Sequence, residues 1–409
     1  MEEGACAAVL DIGTSAIKCG SVGVGGGLMC LDLEAFELDG DGTLCESDFD
    51  RCADAALAVL GRVMAATREA GAHVEAVLLT SQAQTFAPVD AEFRPLCRGI
   101  VWLDSRADAE AADLARELPD FSRFAGFCRP LPALYVAKLL WLKRHRAELY
   151  GRAACFPLVD EFIAQRLTGR FYSDFGNFGM GGVLDIRTKR LHPRVLELLG
   201  LSPAHFPELA DPLGLGYPLR PDVGAALGCG AEVRVYFCGN DQSASAVGAG
   251  LSRPGDVSLN FGTAMVAYTL IDSLPDRILP EEIAGISPME DHYFLLSYEE
   301  DLGTLIDQTK AEHFPHVSYD EFLRNYQAVG EAASVIERCL DRLDRHLIHI
   351  GRLVKPEKLY VSGGLAQSAA WLAILRERLS QEIVCSSRRE AAIVGAARIY
   401  EARMNKPGD

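Results

Sequence analysis

The sequence predicts an α/β protein built as two lobes, and three observations carry that reading. The segment Leu10-Asp11-Ile12-Gly13-Thr14-Ser15-Ala16-Ile17 is echoed by Leu259-Asn260-Phe261-Gly262-Thr263-Ala264-Met265-Val266. Both copies run apolar, Asp or Asn, apolar, Gly-Thr, small, apolar: a strand, a tight turn and a returning strand. Short apolar runs alternate with segments of helical spacing, the pattern of sheets layered with helices. The chain has 409 residues, room for two domains or more.

Residues 5–35 read as strands broken by Gly23 and by Gly25-Gly26-Gly27. Over 48–70, Phe49, Ala53, Ala56, Leu57, Leu60, Val63 and Met64 recur at helical spacing. Val74 to Thr80 reads as a buried strand that ends in the polar turn Ser81-Gln82-Ala83-Gln84-Thr85. Helices are expected over 106–118, about 134–150 and about 159–168, the last closed by Gly169. Residues 202–236 are rich in Pro and Gly and read as a connector with short strands. Val235-Tyr236-Phe237-Cys238 is a strand, broken by Gly239-Asn240-Asp241-Gln242 where a helix begins. The lobe boundary is placed here, giving 1–238 and 239–409. In the second lobe a hairpin is expected over 257–270, one or two helices over 319–351, the strand Leu359-Tyr360-Val361, a helix around Trp371, and a last helix from near Ala391. The final few residues read as a frayed tail.

Hydrophobic residues make up 49% and charged residues 24%, and the formal charge is −17. That balance disfavours nucleic acid or an anionic membrane as partner. Met1-Glu2-Glu3 is acidic where a signal peptide is basic, and no apolar run reaches the length of a membrane span. The twelve cysteines are scattered without a C-x-x-C pair, so free thiols in a reducing cytoplasm are expected. His313/His316 and His346/His349 lack a third ligand spaced nearby and read as surface histidines.

The chemistry concentrates in a few turns. A glycine lets backbone approach a ligand, and a Thr hydroxyl with turn N–H groups can hold phosphate oxygens. Gly13-Thr14-Ser15 and Gly262-Thr263 are therefore candidate phosphate holders, with ordinary tight hairpins as the alternative. Asp11 lies two residues before the first turn, where a carboxylate can hold Mg²⁺ through water. Lys18 lies just beyond and can reach a phosphate. Asp241 stands at a strand end that opens a helix at the lobe junction, where α/β proteins place ligands. It reads as a base for an attacking hydroxyl or as a helix N-cap. Gly363-Gly364 after a strand offers bare backbone to a flat ring, or simply makes a tight turn. Gln82 and Gln84 carry amides that suit a polyhydroxy substrate, and Trp102 suits a sugar face or a core.

Taken in order, these segments resemble the FGGY carbohydrate kinases, within the actin, hexokinase and chaperone-ATPase superfamily. Leu10 to Ser15 resembles the family's first phosphate motif, and Leu259 to Thr263 the second. Thr80 to Thr85 is similar to the substrate strand of glycerol kinase and less closely to that of xylulokinase. Ile100-Val101-Trp102-Leu103-Asp104-Ser105-Arg106 resembles the Trp-x-Asp-x-Arg segment, and Lys138-Leu139-Leu140-Trp141-Leu142 the core of the first family signature. Asp160, Leu167-Thr168-Gly169 and Ser173-Asp174 resemble a xylulokinase-type stretch. Gly239-Asn240-Asp241-Gln242 resembles the catalytic segment, and Ser362-Gly363-Gly364 the adenosine motif.

The resemblance implies two ribonuclease-H-like lobes with a nucleotide cleft between them. It implies ATP and Mg²⁺ as cofactors, with ATP held mainly by the second lobe. A small carbohydrate or polyol would lie on the first lobe, touched by Gln82, Gln84, Trp102 and Gln242, with Asp241 as base. Homodimers are common in such folds. The chain departs from the family pattern in three ways. It lacks a Gly-Glu-Arg-x-Pro-like loop, Ala83 replaces Arg or Met, and Gln84 replaces Glu or His. Two rivals stand beside this reading: a nucleotide-binding regulator of the same fold, and a filament-forming or chaperone ATPase.

Overall fold

The computed structural model describes residues 4–404 apart from residues 24, 37, 41–42, 231, 290 and 387–389. Met1-Glu2-Glu3 and the tail beyond 404 lie outside the described residues. Two six-stranded sheets form the frame. The first uses β1 (Ala5–Ile12), β2 (Ala16–Gly23), β3 (Gly27–Ala35), β4 (His73–Ser81), β5 (Gly216–Pro218) and β6 (Arg234–Asn240). The second uses β7 (Asp256–Phe261), β8 (Met265–Ile271), β9 (Glu282–Ile286), β10 (Tyr293–Glu299), β11 (Lys358–Gly363) and β12 (Glu382–Cys385). The helices that pack on them are α1 (Phe49–Glu69), α2 (Tyr135–His145), α3 (Val159–Thr168), α4 (Asp241–Ala249), α5 (Leu302–His313), α6 (Gly330–Ile350), α7 (Ala369–Arg378) and α8 (Ala391–Met404).

The strand orders are β5-β6-β4-β1-β2-β3 and β9-β10-β8-β7-β11-β12. In each sheet a Gly-Thr hairpin, β1–β2 or β7–β8, sits at the centre. A third antiparallel strand, β3 or β10, lies beyond its second arm. A parallel strand, β4 or β11, lies beside its first. The duplicated sequence is thus a duplicated topology, and it sets both turns at equivalent sheet ends.

Burial explains the layers. β1 is apolar on both faces because both are covered. Cys6, Ala8 and Leu10 pack with Phe49, Val59 and Leu60 of α1 and Phe162 of α3. Ala7 and Val9 face the other way, onto Ala244 and Val247 of α4 and Ile393 and Ala397 of α8. Tyr268, Leu270, Phe294 and Leu296 of the second sheet join the same cluster, so α4 and α8 form a layer between the two sheets. Val335, Ile336 and Leu343 of α6 cover the far face of the second sheet.

The helix pair α4 and α8 is built from small residues because it packs backbone on backbone. A Cβ on Gly395 would fall within contact distance of the Ala244 carbonyl, and one on Gly248 would meet the Ala391 carbonyl.

The 319–351 stretch holds two helices, as expected: Tyr319–Asn325 and α6. Other sequence expectations change. The 134–150 helix is broken after His145 and resumes over Ala147–Arg152. The connector 202–236 holds a helix, Pro221–Leu227. His346 is not a surface residue. It is buried, with Nδ1 2.5 Å from Ser297 Oγ and Nε2 3.1 Å from Glu299 Oε1. All twelve cysteines are free, and seven of them are buried. Among the described residues no helix is long and apolar enough to cross a membrane.

The Gly395→Ala variant tests the helix layer. Forcing a methyl against a fixed carbonyl should destabilise the fold by about 1–3 kcal/mol, lowering the urea midpoint measured by circular dichroism.

Candidate active site

The first Gly-Thr turn is closed by Gly13 N–H donating to the Ala16 carbonyl at 3.0 Å, and the second by Gly262 N–H donating to the Ala264 carbonyl at 3.0 Å. Ser15 and Thr263 are exposed at their tips. The Thr263 carbonyl accepts from the N–H groups of Gly303 (3.0 Å) and Thr304 (3.3 Å), so the second turn seats the start of α5. Sequence patterning gives no sign of α5, because Leu302-Gly303-Thr304 opens it without a capping side chain or a strong apolar stripe.

Thr14 does more than end a strand. Its hydroxyl donates to Gln82 Oε1 at 3.2 Å and accepts from Trp102 Nε1 at 2.8 Å. Thr85 Oγ1 donates to the same Gln82 oxygen at 3.2 Å and accepts from the Trp102 N–H at 3.1 Å. The four residues form a closed ring of hydrogen bonds. Gln82 Nε2 donates to the Gly13 carbonyl at 3.1 Å, tying the ring to the turn backbone. Gln84 sits at φ 70°. Its Oε1 accepts from Tyr135 N–H at 2.8 Å and its Nε2 donates to the Met180 carbonyl. Both amides hold the protein together, and each keeps one N–H for another partner.

Trp102 is 40% exposed, and its segment is anchored beneath. Lys138, fully buried, donates to the Val101 carbonyl at 2.7 Å, and burial pulls its ammonium down to about 7. Asp104 accepts from Cys45 N–H and from Arg106, whose guanidinium also pairs with Glu46 and lies 5.0 Å from the Trp141 ring centroid. The apolar signature around Lys138 to Leu142 thus supports the rim that carries Trp102.

Asp241 opens α4, but it does not cap it. Asn240 Oδ1 accepts the Ser243 N–H at 2.8 Å, so the half-buried Asp241 carboxylate is not used as the helix cap. Burial, then the charge of Asp11, pushes Asp241 from 3.8 up to about 7. Burial likewise pushes Asp11 up to about 6, with Lys18 pulling it down and Glu390 pushing it up. Lys18 pairs with Glu390, next to the start of α8, at 2.7 Å. Gln242 is exposed beside Asp241.

The two carboxylates carry like charge, and Lys18, the cation that acts on Asp11, is already shared with Glu390. This donor set fits a hard cation such as Mg²⁺. Among the described residues no group of three or more His, Cys, Asp or Glu is placed to hold a metal alone. A cation there would share its ligands with phosphate oxygens, the usual habit of Mg²⁺.

On the second lobe a cavity of about 560 Å³ opens between Gly262, Gly303, Asp307, Tyr319, Gly364 and Ser368. Gly363 takes φ 91°, and a Cβ there would strike the Phe261 backbone of the neighbouring strand. Gly364 faces open space, with nothing within 4 Å of a Cβ. Gly303, Asp307 and Tyr319 carry no motif in the sequence, since only the folded hairpin, α5 and the helix Tyr319–Asn325 bring them beside Gly364. A second cavity of about 430 Å³, lined by Leu213, Ser287, His292 and Ile399, holds none of the motif residues.

The chain has counterparts among known proteins. The model of the FGGY family of carbohydrate kinases, N-terminal domain, matches residues 6–248. The chain is 21% identical to xylulose kinase of Bacillus subtilis over 327 residues, which is 80% of this chain and 65% of that protein. It therefore spans a little under two thirds of that relative. The solved xylulose kinase of Lactobacillus acidophilus superposes with a TM-score of 0.89 at 19% identity, covering 99% of this chain and 90% of that one. The gluconate kinase of the same organism gives 0.88 at 18%, with the same coverage. At such identities the likeness is one of fold, with two actin-like lobes.

The raised carboxyl of Asp241 carries a stability cost of known sign. Between about pH 4 and 7 the unfolded chain gives up this proton before the folded one does, so folded stability falls as pH rises. The Asp241→Asn variant should therefore melt close to wild type at about pH 4 and several degrees above it at about pH 8, read by differential scanning calorimetry without nucleotide.

Proposed function

We propose that this chain, which belongs to the FGGY family of carbohydrate kinases, transfers the γ-phosphoryl group of ATP to a hydroxyl of a sugar or polyol. The observation that carries the reading is the pairing of Asp11 with Asp241. One carboxylate lies beside a phosphate-type turn. The other is left uncapped, with its pKa set near neutrality, where a general base works best.

The steps build on that pairing. The ionised Asp241 accepts the proton of the substrate hydroxyl. That oxygen bonds to the γ-phosphorus as the bond to the β-bridging oxygen breaks, releasing ADP. The turns at Gly13-Thr14-Ser15 and Gly262-Thr263 hold phosphate oxygens, and Gly363-Gly364 borders the cavity that takes the nucleoside. Asp11 would hold Mg²⁺, which supplies charge neutralisation on the phosphates. Lys18, held by Glu390, reaches a phosphate only by leaving that partner. Trp102 offers a flat face to the carbohydrate, Gln82 and Gln84 each offer one amide N–H, and Gln242 lies open beside the base. Residues 1–238 serve the carbohydrate and 239–409 the nucleotide. Closure of the lobes excludes the water that competes for the phosphoryl group. Free thiols and an intracellular nucleotide support a cytoplasmic location.

ADP release from Mg-ATP across a panel of ketoses, aldoses, polyols and sugar acids tests this reading. One compound class should stimulate release, with kcat falling below about pH 7 as Asp241 protonates. Asp241→Asn should lower kcat by ~10²–10⁴-fold and keep ATP affinity. ATP binding with no carbohydrate-stimulated release from any compound contradicts the proposal.

A further inference from the structure

The base stands two residues after a kink in its strand. β6 runs parallel to β4 in regular register up to Phe237 opposite Leu79. The next pair is Asn240 opposite Ser81, so β6 carries one extra residue there. This is a bulge, which bends a strand and re-aims the side chains beyond it. Gly239 lies in it at φ 77°, a conformation that glycine adopts without strain. Its peptide groups are gripped from two sides. Gly239 N–H donates to Asp174 Oδ2 at 2.7 Å, and its carbonyl accepts from Thr80 Oγ1 at 3.1 Å. Asp174 and Thr80 are both buried. Without these partners the bulge would bury an orphaned N–H and an orphaned carbonyl.

We propose that Asp174 is a positioning residue for phosphoryl transfer, clamping the Gly239 peptide so that Asn240 caps α4 and Asp241 faces the cleft. The proposal rests on the reading of Asp241 as the base. Asp174 acts through the backbone. Its Oδ1 accepts from Asn177 N–H at 2.8 Å, so both carboxylate oxygens are engaged by main-chain donors. That bond caps the short helix Phe175–Phe178, which leads to Met180. Met180 Sδ accepts from Asn240 Nδ2 at 3.0 Å, and the Met180 carbonyl accepts from Gln84. One short segment therefore sets the base and the carbohydrate-side turn together. The Gly262-Thr263 turn is held by its own hairpin and by α5, so nucleotide affinity should be insulated from this segment.

The test is steady-state kinetics with ATP-binding calorimetry on Asp174→Asn, Thr80→Val and the double variant. An amide at 174 keeps the size and loses one acceptor. The kcat of Asp174→Asn should fall by ~10–100-fold, because small displacements of a reacting group are costly, while ATP Kd and KM stay within about twofold. Thr80→Val should lower kcat by less. The double variant should lose less than the product of the two singles, since both act on one peptide. Wild-type kcat in Asp174→Asn overturns the proposal, as does equal loss of kcat and ATP binding, or a fully multiplicative double variant. If Asp174→Asn does not fold, Thr80→Val decides, and an unchanged kcat there also overturns it. Asp241→Asn run alongside separates the two readings: full turnover in that variant removes the base itself, whatever Asp174 does.

Discussion

Two desolvated carboxylates, Asp11 and Asp241, lie close enough for the charge of one to act on the other, and the cation that acts on Asp11, Lys18, is shared with Glu390. Each carboxylate would be more stable in water, and the charge of Asp11 pushes the proton affinity of Asp241 up. The fold holds this arrangement against its own interest. Asp11 is fixed by β1, covered on both faces, and Asp241 by a helix that starts straight after a clamped bulge. Such strain is tolerated because the two cores around the sheets are large, and in the proposed reading a polyphosphate with its cation would relieve it on binding.

The proposed base, Asp241, also belongs to the packing of the whole molecule. α4 carries Asp241 at its start and Gly248 near its end, and it lies between the sheets against α8. α8 in turn is preceded by Glu390, the partner of Lys18 on β2. The layer that joins the lobes is therefore the layer that carries the proposed base. A small residue lost from the α4–α8 contact moves the helix that opens with Asp241.

The general plan is legible in the sequence because it is written locally. Each Gly-Thr turn, the strand before it and the break at Gly239 to Gln242 lie in contiguous segments whose spacing sets their form. The two candidate roles of Asp241 separate only in the folded chain, where Asn240 takes the cap. The ring of Thr14, Gln82, Thr85 and Trp102 depends on residues up to 88 positions apart, and no local pattern announces that contact. The same holds for Lys18, whose partner is 372 residues away. His346 looks exposed because polar neighbours surround it in sequence, whereas its face of α6 turns inward to Ser297. The helix α5 is hidden for want of an apolar stripe, and with it go Gly303 and Asp307 of the second-lobe cavity.

Everything in the proposed chemistry turns on burial, with the charge of Asp11 added to it, holding the proton affinity of Asp241 near neutrality. Carbon-13 NMR titration of aspartate carboxyls, with the Asp241 signal identified by its absence from Asp241→Asn, measures this directly. An Asp241 midpoint near 7 is expected in the free protein, and a lower one in Asp11→Asn, where the Asp11 charge is gone. A midpoint near 4 in the wild type, or one unmoved by Asp11→Asn, contradicts it.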